Sequence, residues 1–324
     1  MRVVAILPAC APRPVGSWLS THECLRHLVE RGHDVVAVAA RTYEPGYTYE
    51  GVRVESGGMR GRAWMIDLAA DADVVIAHSG GPDVATIAAA RHGRPLVLMV
   101  HAFDSHDLTA AALVVCCSEA VRARVRPPAG TPTIVVRPPV ARAVYEVDRS
   151  AGDRVTIVNL TDDKGVRTAW RVAERLPHIP FLAVRGGYGR QVEPRTANFE
   201  VVGPVPDMRQ VYAATSVLLM PSRSETWGRV GVEAMCSGIP VVAHPSPGLR
   251  EALGDAAIWV HRDNDKAWAA EVERLLDDRE WYDDRSAAAE ARARELDRVR
   301  GTDLERFEAA LEQVVEGKVV AACV

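Results

Sequence analysis

The sequence predicts an α/β protein made of two successive doubly wound domains with parallel sheets. Three observations carry this. Short continuous apolar runs, the mark of strands buried on both faces of a parallel sheet, alternate with segments of helical periodicity. The alternation breaks at Arg137-Pro138-Pro139 and starts afresh at Arg154. At 324 residues the chain is long for one domain and comfortable for two of about 150 residues each. The expected domain boundary is at residue 143, with the second domain starting at 144.

Composition narrows the function classes. With 48% hydrophobic and 25% charged residues the chain is ordinary for a soluble globular protein. A net charge of −4 gives no electrostatic case for nucleic acid or a membrane surface as the main partner. The basic excess is confined to residues 1–145, which hold 15 Arg against 13 acidic residues. That half is the better place for an anionic partner. Cys10, Cys24, Cys116, Cys117, Cys236 and Cys323 show no C-x-x-C spacing, so buried free thiols in a reducing compartment are expected. The start, MRVVAILPAC, reads as a first strand and turn rather than a signal peptide. No apolar run approaches the roughly 20 residues of a membrane span, so the expected location is cytoplasmic.

In the first half, strand Arg2–Leu7 leads through a Pro-rich turn and Gly16-Ser17 into a helix over Trp18–Arg31, which Gly32 ends. Val35–Ala40 completes a βαβ unit, whose loop lacks the G-x-G-x-x-G of dinucleotide sites. Strands follow at Val52–Glu55, Asp73–Ala77, Pro95–Val100, Leu113–Cys117 and Thr133–Val136, with helices from Pro82 to His92 and from Ser118, as N-cap, through Arg124. His101 stands just past a strand's carboxyl end, where open α/β sheets place their ligands. His78, His92 and His106 read as ordinary loop or helix-end histidines, and Arg122, Arg124 and Arg126 as a solvated helix face. Asp71-Ala72-Asp73 has metal-site spacing but sits at a strand's amino end, so no metal role is expected. Asp263-Asn264-Asp265 reads as a helix cap.

In the second half, strand Arg154–Asn159 runs into Asp162-Asp163-Lys164-Gly165 and a helix to Leu176. Lys164, one of three lysines, lies at a βα junction. A flexible point charge there suits phosphate, the other reading being a solvated helix-end lysine. Strand Phe181–Val184 leads to Arg185-Gly186-Gly187-Tyr188-Gly189-Arg190, either a second phosphate contact or a surface hairpin. Strand Phe199–Val202, helix Asp207–Ala214 and strand Val217–Met220 deliver the chain to PSRSETWGRVGVEAMCSGIPVVAHPSPGLREAL, Pro221–Leu253. This stretch reads as loop, helix, strand, loop and helix. Glu225 falls in its first loop and Glu233 within the helix opened by Gly228, whose free N–H groups suit an anion. Strand Ala257–Val260 and helices Asp265–Leu276, Glu280–Val299 and Thr302–Glu316 follow. Loops at strand ends of two such domains leave a cleft suited to two substrates.

These residues resemble the retaining, nucleotide-sugar-dependent glycosyltransferases of the GT-B fold, the large family 4, also called glycosyl transferases group 1. The pattern P-S-x-x-E-x-x-G-x-x-x-x-E-A-M-x-x-G-x-P-V-V runs without a gap from Pro221 to Val242, and P-G-L-x-E follows at Pro247–Glu251. Strand–x–x–K-G appears at Val155–Gly165, and a Gly-x-Val…Tyr pattern at Gly203, Val205 and Tyr212. In the first half the likeness is looser, through Gly16-Ser17, Glu30–Val35, Asp73–Val75, His101 and Ser118.

The resemblance implies a GT-B architecture of two Rossmann-like domains facing a cleft, 1–143 for the acceptor and 144–301 for the donor. A C-terminal helix within 302–324 returns to the first domain. It implies transfer of a sugar from a nucleotide-diphosphate sugar, with retention and without metal or other cofactor. Lys164 would stabilise the leaving diphosphate, helped by the backbone at Gly16-Ser17. Glu225 and the main chain from Thr226 through Trp227 and Gly228 to Arg229 and Val230 would hold the donor sugar. Glu233 would take the ribose hydroxyls, Arg185, Gly187 and Val205 would border the base, and His101 would approach the sugar from the other domain. The acceptor stays open among lipid, glycan end, small metabolite and modified nucleobase. The sequence departs from the family at Val158-Asn159, where Gly-Arg is common, so one phosphate-binding cation is replaced by an amide. Arg185, Arg190 or Arg223 are candidate substitutes. Competing readings are a sugar-nucleotide-binding protein without catalysis and a GT-B-fold sugar-nucleotide epimerase.

Overall fold

The computed structural model describes residues 1–318 other than 81–82, 105, 149–151 and 194. Pro82, expected at a helix start, and Cys323 lie outside the described residues. The chain divides into two compact units, one of Met1–Pro139 with the chain from Arg300, the other of Val140–Val299.

The first unit is built on eight strands: β1 (Arg2–Leu7), β2 (Asp34–Ala39), β3 (Tyr47–Tyr49), β4 (Val52–Ser56), β5 (Val74–His78), β6 (Leu96–Val100), β7 (Leu113–Cys116) and β8 (Thr133–Val135). Their order is β3-β4-β2-β1-β5-β6-β7-β8. The sheet is mixed rather than all parallel, because β3 pairs antiparallel with β4. Tyr49 faces Val52 across Glu50-Gly51, both at positive φ, as a two-residue hairpin turn requires. Three residues with aromatic ends carry too little periodicity to be read as a strand.

Period-two alternation sorts the core into two layers. Val3, Ala5 and Leu7 pack with Leu25 and Leu28 of the helix Gly16–Glu30 and with Leu304, Phe307 and Leu311. Val4 and Ile6 pack on the other face with Val84, Ala85 and Ala88 of the helix Asp83–His92. Glu308 ties the C-terminal segment down, since its carboxylate bonds His27, Arg31 and His33 at 3.0–3.3 Å. Asp303, 1% exposed, accepts from the Arg137 guanidinium at 3.0 Å.

The second unit has six parallel strands, β9 (Arg154–Val158), β10 (Phe181–Val184), β11 (Phe199–Val202), β12 (Thr215–Met220), β13 (Val241–Ala243) and β14 (Ile258–Trp259), in the order β11-β10-β9-β12-β13-β14. Val155, Ile157, Val166, Val172 and Trp268 fill one layer. Leu218, Met220, Val232, Met235, Leu249, Ala289 and Ala293 fill the other.

One expectation about the helices is corrected. Glu280–Val299 and Thr302–Glu316 are a single helix, Arg279–Val315, running through Gly301. A lone glycine costs a helix only about 1 kcal/mol against alanine, while Leu296 before it and Leu304 and Phe307 after it are buried. Packing on either side outweighs that cost. Similarly, the helix after Ser118 is short, Glu119–Arg122, so Arg124 lies past its end; it is exposed, with its guanidinium 4.1 Å from the Phe103 ring centroid. Asn264 caps the next-to-last helix through its side chain, bonded to the Ala267 N–H.

Candidate active site

In an open α/β sheet, ligands bind beyond the carboxyl ends of the strands, where the strand order reverses. In the second unit the reversal lies between β9 and β12. Lys164 is on the loop after β9 and Glu225 on the loop after β12. Their side chains meet, Lys164 Nζ donating to Glu225 Oε1. Ser222 Oγ donates to the same oxygen at 3.0 Å. Both partners are mostly buried, 20% and 12% exposed. Burial works against the ammonium, but Glu225 and the Tyr188 phenol outweigh it and hold the Lys164 pKa above the usual lysine range. The lysine is therefore fully charged at neutral pH, with two N–H donors beyond the one spent on Glu225.

The backbone brings these loops together. Arg223 N donates to Asp163 O at 2.7 Å. Gly165 is left-handed, φ +83°, and a Cβ there would stand 2.4 Å from Pro221 O. Gly248, in the first turn of the helix Pro247–Leu253, performs the same service for Glu225. An added Cβ would lie 2.3 Å from Glu225 O and 2.4 Å from Thr226 C. The P-G-L motif thus exists to seat a helix start against the Glu225 loop. We expect Gly248→Ala to push that loop out, since a Cβ 2.3 Å from a backbone oxygen must displace it, and to weaken the activity of this site at least roughly tenfold, with a far smaller loss of melting temperature. Steady-state kinetics alongside thermal melts check this.

Asn159, the departure from the Gly-Arg common in the family this sequence resembles, is buried and left-handed, φ 68°. It is the first residue past β9 rather than the last of the strand, and asparagine tolerates that backbone better than most residues. Gln191, which the sequence did not bring out, holds the surroundings. Its Nε2 donates to Asn159 Oδ1 at 3.0 Å and to Tyr188 O at 2.8 Å, while its Oε1 accepts from the Leu160 and Gly186 N–H groups, each at 2.9 Å. The loop 185–191 is thereby pinned over Asn159 as an ordered turn rather than a loose hairpin. Of the candidate substitute cations, Arg185 is held by Glu193 at 2.6–2.9 Å. Arg190 and Arg223 are exposed. Arg262, also missed, reaches the Lys164 loop and donates to Asp162 O at 3.2 Å. Gly187 is exposed on the pinned loop, and Val205 packs beside Leu182, Val184 and Val211.

Glu233 is placed differently from Glu225. It is 3% exposed, on the helix Arg229–Met235. Oε1 accepts from Arg229 Nε at 2.6 Å and Oε2 from the Tyr212 hydroxyl at 2.6 Å. Arg229 also bonds Tyr145 Oη at 3.0 Å. Burial, then Glu233, hold the Tyr212 pKa well above the usual phenol range, so Tyr212 stays a donor. The Arg229 side chain is turned into the protein, 8% exposed, and Trp227 is 3% exposed. Thr226 and Val230 are half-buried at the ends of this turn.

The first unit has its own reversal, between β1 and β5. Gly16 and Ser17 open the helix after β1, so they form a helix start rather than a loop. His101 follows β6 and shares Thr21 Oγ1, at 3.3 Å, with His78 at 2.7 Å. His78 is thus a buried strand-end residue and not an ordinary loop histidine. Its signal was there, an apolar run ending in His, but that position was read as loop. Burial pushes the His101 pKa down to about 4, and burial with the neighbouring His101 puts His78 well below the ordinary value. Depressed histidine pKa values give stability that is present above the ordinary pKa of about 6.5 and lost as pH falls through the folded value. We expect melting temperature to fall between pH 6.5 and 5, and His101→Gln to flatten that dependence.

Five cysteines, Cys10, Cys24, Cys116, Cys117 and Cys236, are buried free thiols. Among the described residues, no helix is long and apolar enough to cross a membrane. One His/carboxylate group there, His33, Glu308 and Glu312, has metal-like spacing, and it contains none of the site residues.

Three comparisons bear on class. The fold is that of GT-B proteins. Sucrose-phosphate synthase from Thermosynechococcus elongatus superposes with a TM-score of 0.77 at 14% identity, covering 98% of this chain and 100% of that one. Anabaena HepE, solved with UDP and glucose, superposes at 0.75 with 18% identity, covering 95% and 100%. Residues 155–278 match the model of the family Glycosyl transferases group 1. The D-inositol 3-phosphate glycosyltransferase of Corynebacterium aurimucosum is 37% identical over 86 residues, 26% of this chain. The match spans 20% of that relative's length.

Proposed function

We propose that the protein transfers a glycosyl group from a nucleotide-diphosphate sugar to an acceptor hydroxyl, with retention of anomeric configuration and without a metal. The observation that carries this is the Lys164–Glu225 pair at the reversal point of the second sheet. It combines a permanently charged ammonium for phosphate with a hydrogen-bonded carboxylate for sugar hydroxyls. The bond from the anomeric carbon to the diphosphate breaks and one to the acceptor oxygen forms on the same face. The acceptor proton passes to the departing phosphate oxygen. Lys164 offsets the charge that grows there, in a site shielded from water, where fixed charges act most strongly. Neither glutamate is needed as a general base. Glu225 grips the sugar, and the main chain from Thr226 to Val230 lines it. Glu233 meets the ribose through lone pairs not used by Arg229 and Tyr212.

The test is a panel of nucleotide-sugar donors, read by released nucleotide with EDTA present and by NMR of the product's anomeric proton. D-inositol 3-phosphate, the compound in the relative's name, belongs in the acceptor panel beside lipids, glycan ends, small metabolites and modified nucleobases. If no donor is bound or consumed, or if Glu225→Ala leaves consumption unchanged, the proposal fails.

A second reading, donor binding without catalysis, draws on Asn159. A missing charge-assisted hydrogen bond is worth roughly 1.5–3 kcal/mol, enough to slow transfer. Saturable binding of a donor with no turnover under any acceptor would favour it.

A further inference from the structure

Asn159 leaves the second unit one cation short of the pattern its sequence resembles, and the loop 185–191 packs tightly over that position. A Cβ added to Gly186 would stand 2.3 Å from Asn159 Cγ, and one added to Gly189 would stand 2.6 Å from Thr161 Cγ2. A longer side chain at 159 would meet the same loop backbone. Gln191 Nε2 bonds Asn159 Oδ1 and Tyr188 O together, so the departing residue itself sets where the loop's tip lies. That tip carries Tyr188, whose side chain is half exposed at 49% and whose phenol lies beside the Lys164 ammonium. An ammonium has donors only. Towards Lys164 the phenol oxygen therefore accepts, and its own hydrogen is left for another acceptor.

We propose that the Tyr188 hydroxyl takes over from the missing cation, donating a hydrogen bond to a diphosphate oxygen that Lys164 also holds. This assignment rests on the nucleotide-sugar reading. A phosphate oxygen on one of the remaining Lys164 N–H groups becomes a neighbour of the phenol, since both are then acceptors on one ammonium. A phenol supplies a donor there without setting a second positive charge against Lys164. Gln191 is a positioning residue that acts through Tyr188.

The experiment measures binding of inorganic pyrophosphate to the full chain by calorimetry, for the wild type, Lys164→Ala, Tyr188→Phe, Gln191→Ala and the double variant Tyr188→Phe/Gln191→Ala. Tyr188→Phe should weaken binding roughly tenfold, the weight of one hydrogen bond to a charged group, with an unchanged melting temperature because the side chain is half exposed. Gln191→Ala should weaken it by a similar factor, and the double variant should be no weaker than Tyr188→Phe alone, as for two residues acting through one contact. Should Gln191→Ala fold poorly, Tyr188→Phe decides by itself. Equal or tighter binding by Tyr188→Phe, in a chain whose binding is lost in Lys164→Ala, overturns the role of Tyr188 and leaves the diphosphate reading standing. Additive losses in the double variant overturn the role given to Gln191. A wild type that binds no pyrophosphate and consumes no donor sinks the diphosphate reading, and this assignment with it.

Discussion

Lys164→Ala is expected to lower kcat/KM for nucleotide release by roughly a hundred- to a thousandfold. That is the usual effect of deleting one fixed group that stabilises charge in a transition state. The ammonium is held in place by Glu225, so no other side chain takes up its position. Arg185 is engaged with Glu193, and Arg262 is tied through one nitrogen to Asp162 O. The fall should appear mainly in kcat, because charge on the leaving diphosphate grows in the transition state. Lys164→Arg should recover only part of it, since a guanidinium is bulkier and forks differently from a point charge. Single-turnover measurements at saturating donor would separate this loss from a loss of binding. The raised Lys164 pKa has a sign: its pairing stabilises the fold below the ordinary lysine pKa and fades only as pH rises through the folded value. Activity should therefore show no fall assignable to Lys164 near neutral pH.

Arg229→Ala is the second large effect, and it is a loss of stability. Removing the guanidinium leaves Glu233 nearly inaccessible, bonded only by Tyr212 among the partners described above. An orphaned buried charge of this kind costs about 3–5 kcal/mol. For a unit of this size that lowers the melting temperature by roughly 10 °C. Replacing both residues with apolar groups of similar volume should restore most of the loss, because the desolvation cost disappears with the charges. Thermal unfolding of Arg229→Met, Glu233→Met and the double variant Arg229→Met/Glu233→Met measures the coupling, with Arg229→Ala alongside. A single Arg229→Ala variant that melts like the wild type would show that the pair contributes nothing.

Much of this was legible in the sequence, for different reasons at different residues. Glu225, Glu233 and Gly228 sit in one gapless stretch, so their loop and helix could be placed from spacing. Lys164 was readable because a rare lysine stood at a βα junction. Its contact with Glu225, 61 residues on, depends on β9 and β12 being neighbours, and strand order is not written in any local pattern. Thr21 and His78 illustrate the same limit, since they meet only when β5 packs beside β1. Gln191 carried no signal: a single amide makes the four hydrogen bonds described above, yet no charge, spacing or periodicity marks it. Arg229 did carry one. Its i,i+4 spacing to Glu233 favours a pair on one helix face, but the residue was read only for its main chain. The long helix through Gly301 shows the opposite error, a local glycine weighed above the packing on both sides of it.

The central claim is sugar transfer supported by Lys164 and Glu225, and the most direct measurement follows the sugar itself. Donors labelled in the sugar are incubated with the acceptor panel, and label in product is counted against released nucleotide diphosphate for wild type, Lys164→Ala and Glu225→Gln. The account predicts one donor class whose label moves to an acceptor in step with nucleotide release, with both variants slowed at least a hundredfold while still folded. Label that never leaves its donor in the wild type, or transfer that proceeds equally well in folded Lys164→Ala, would contradict it.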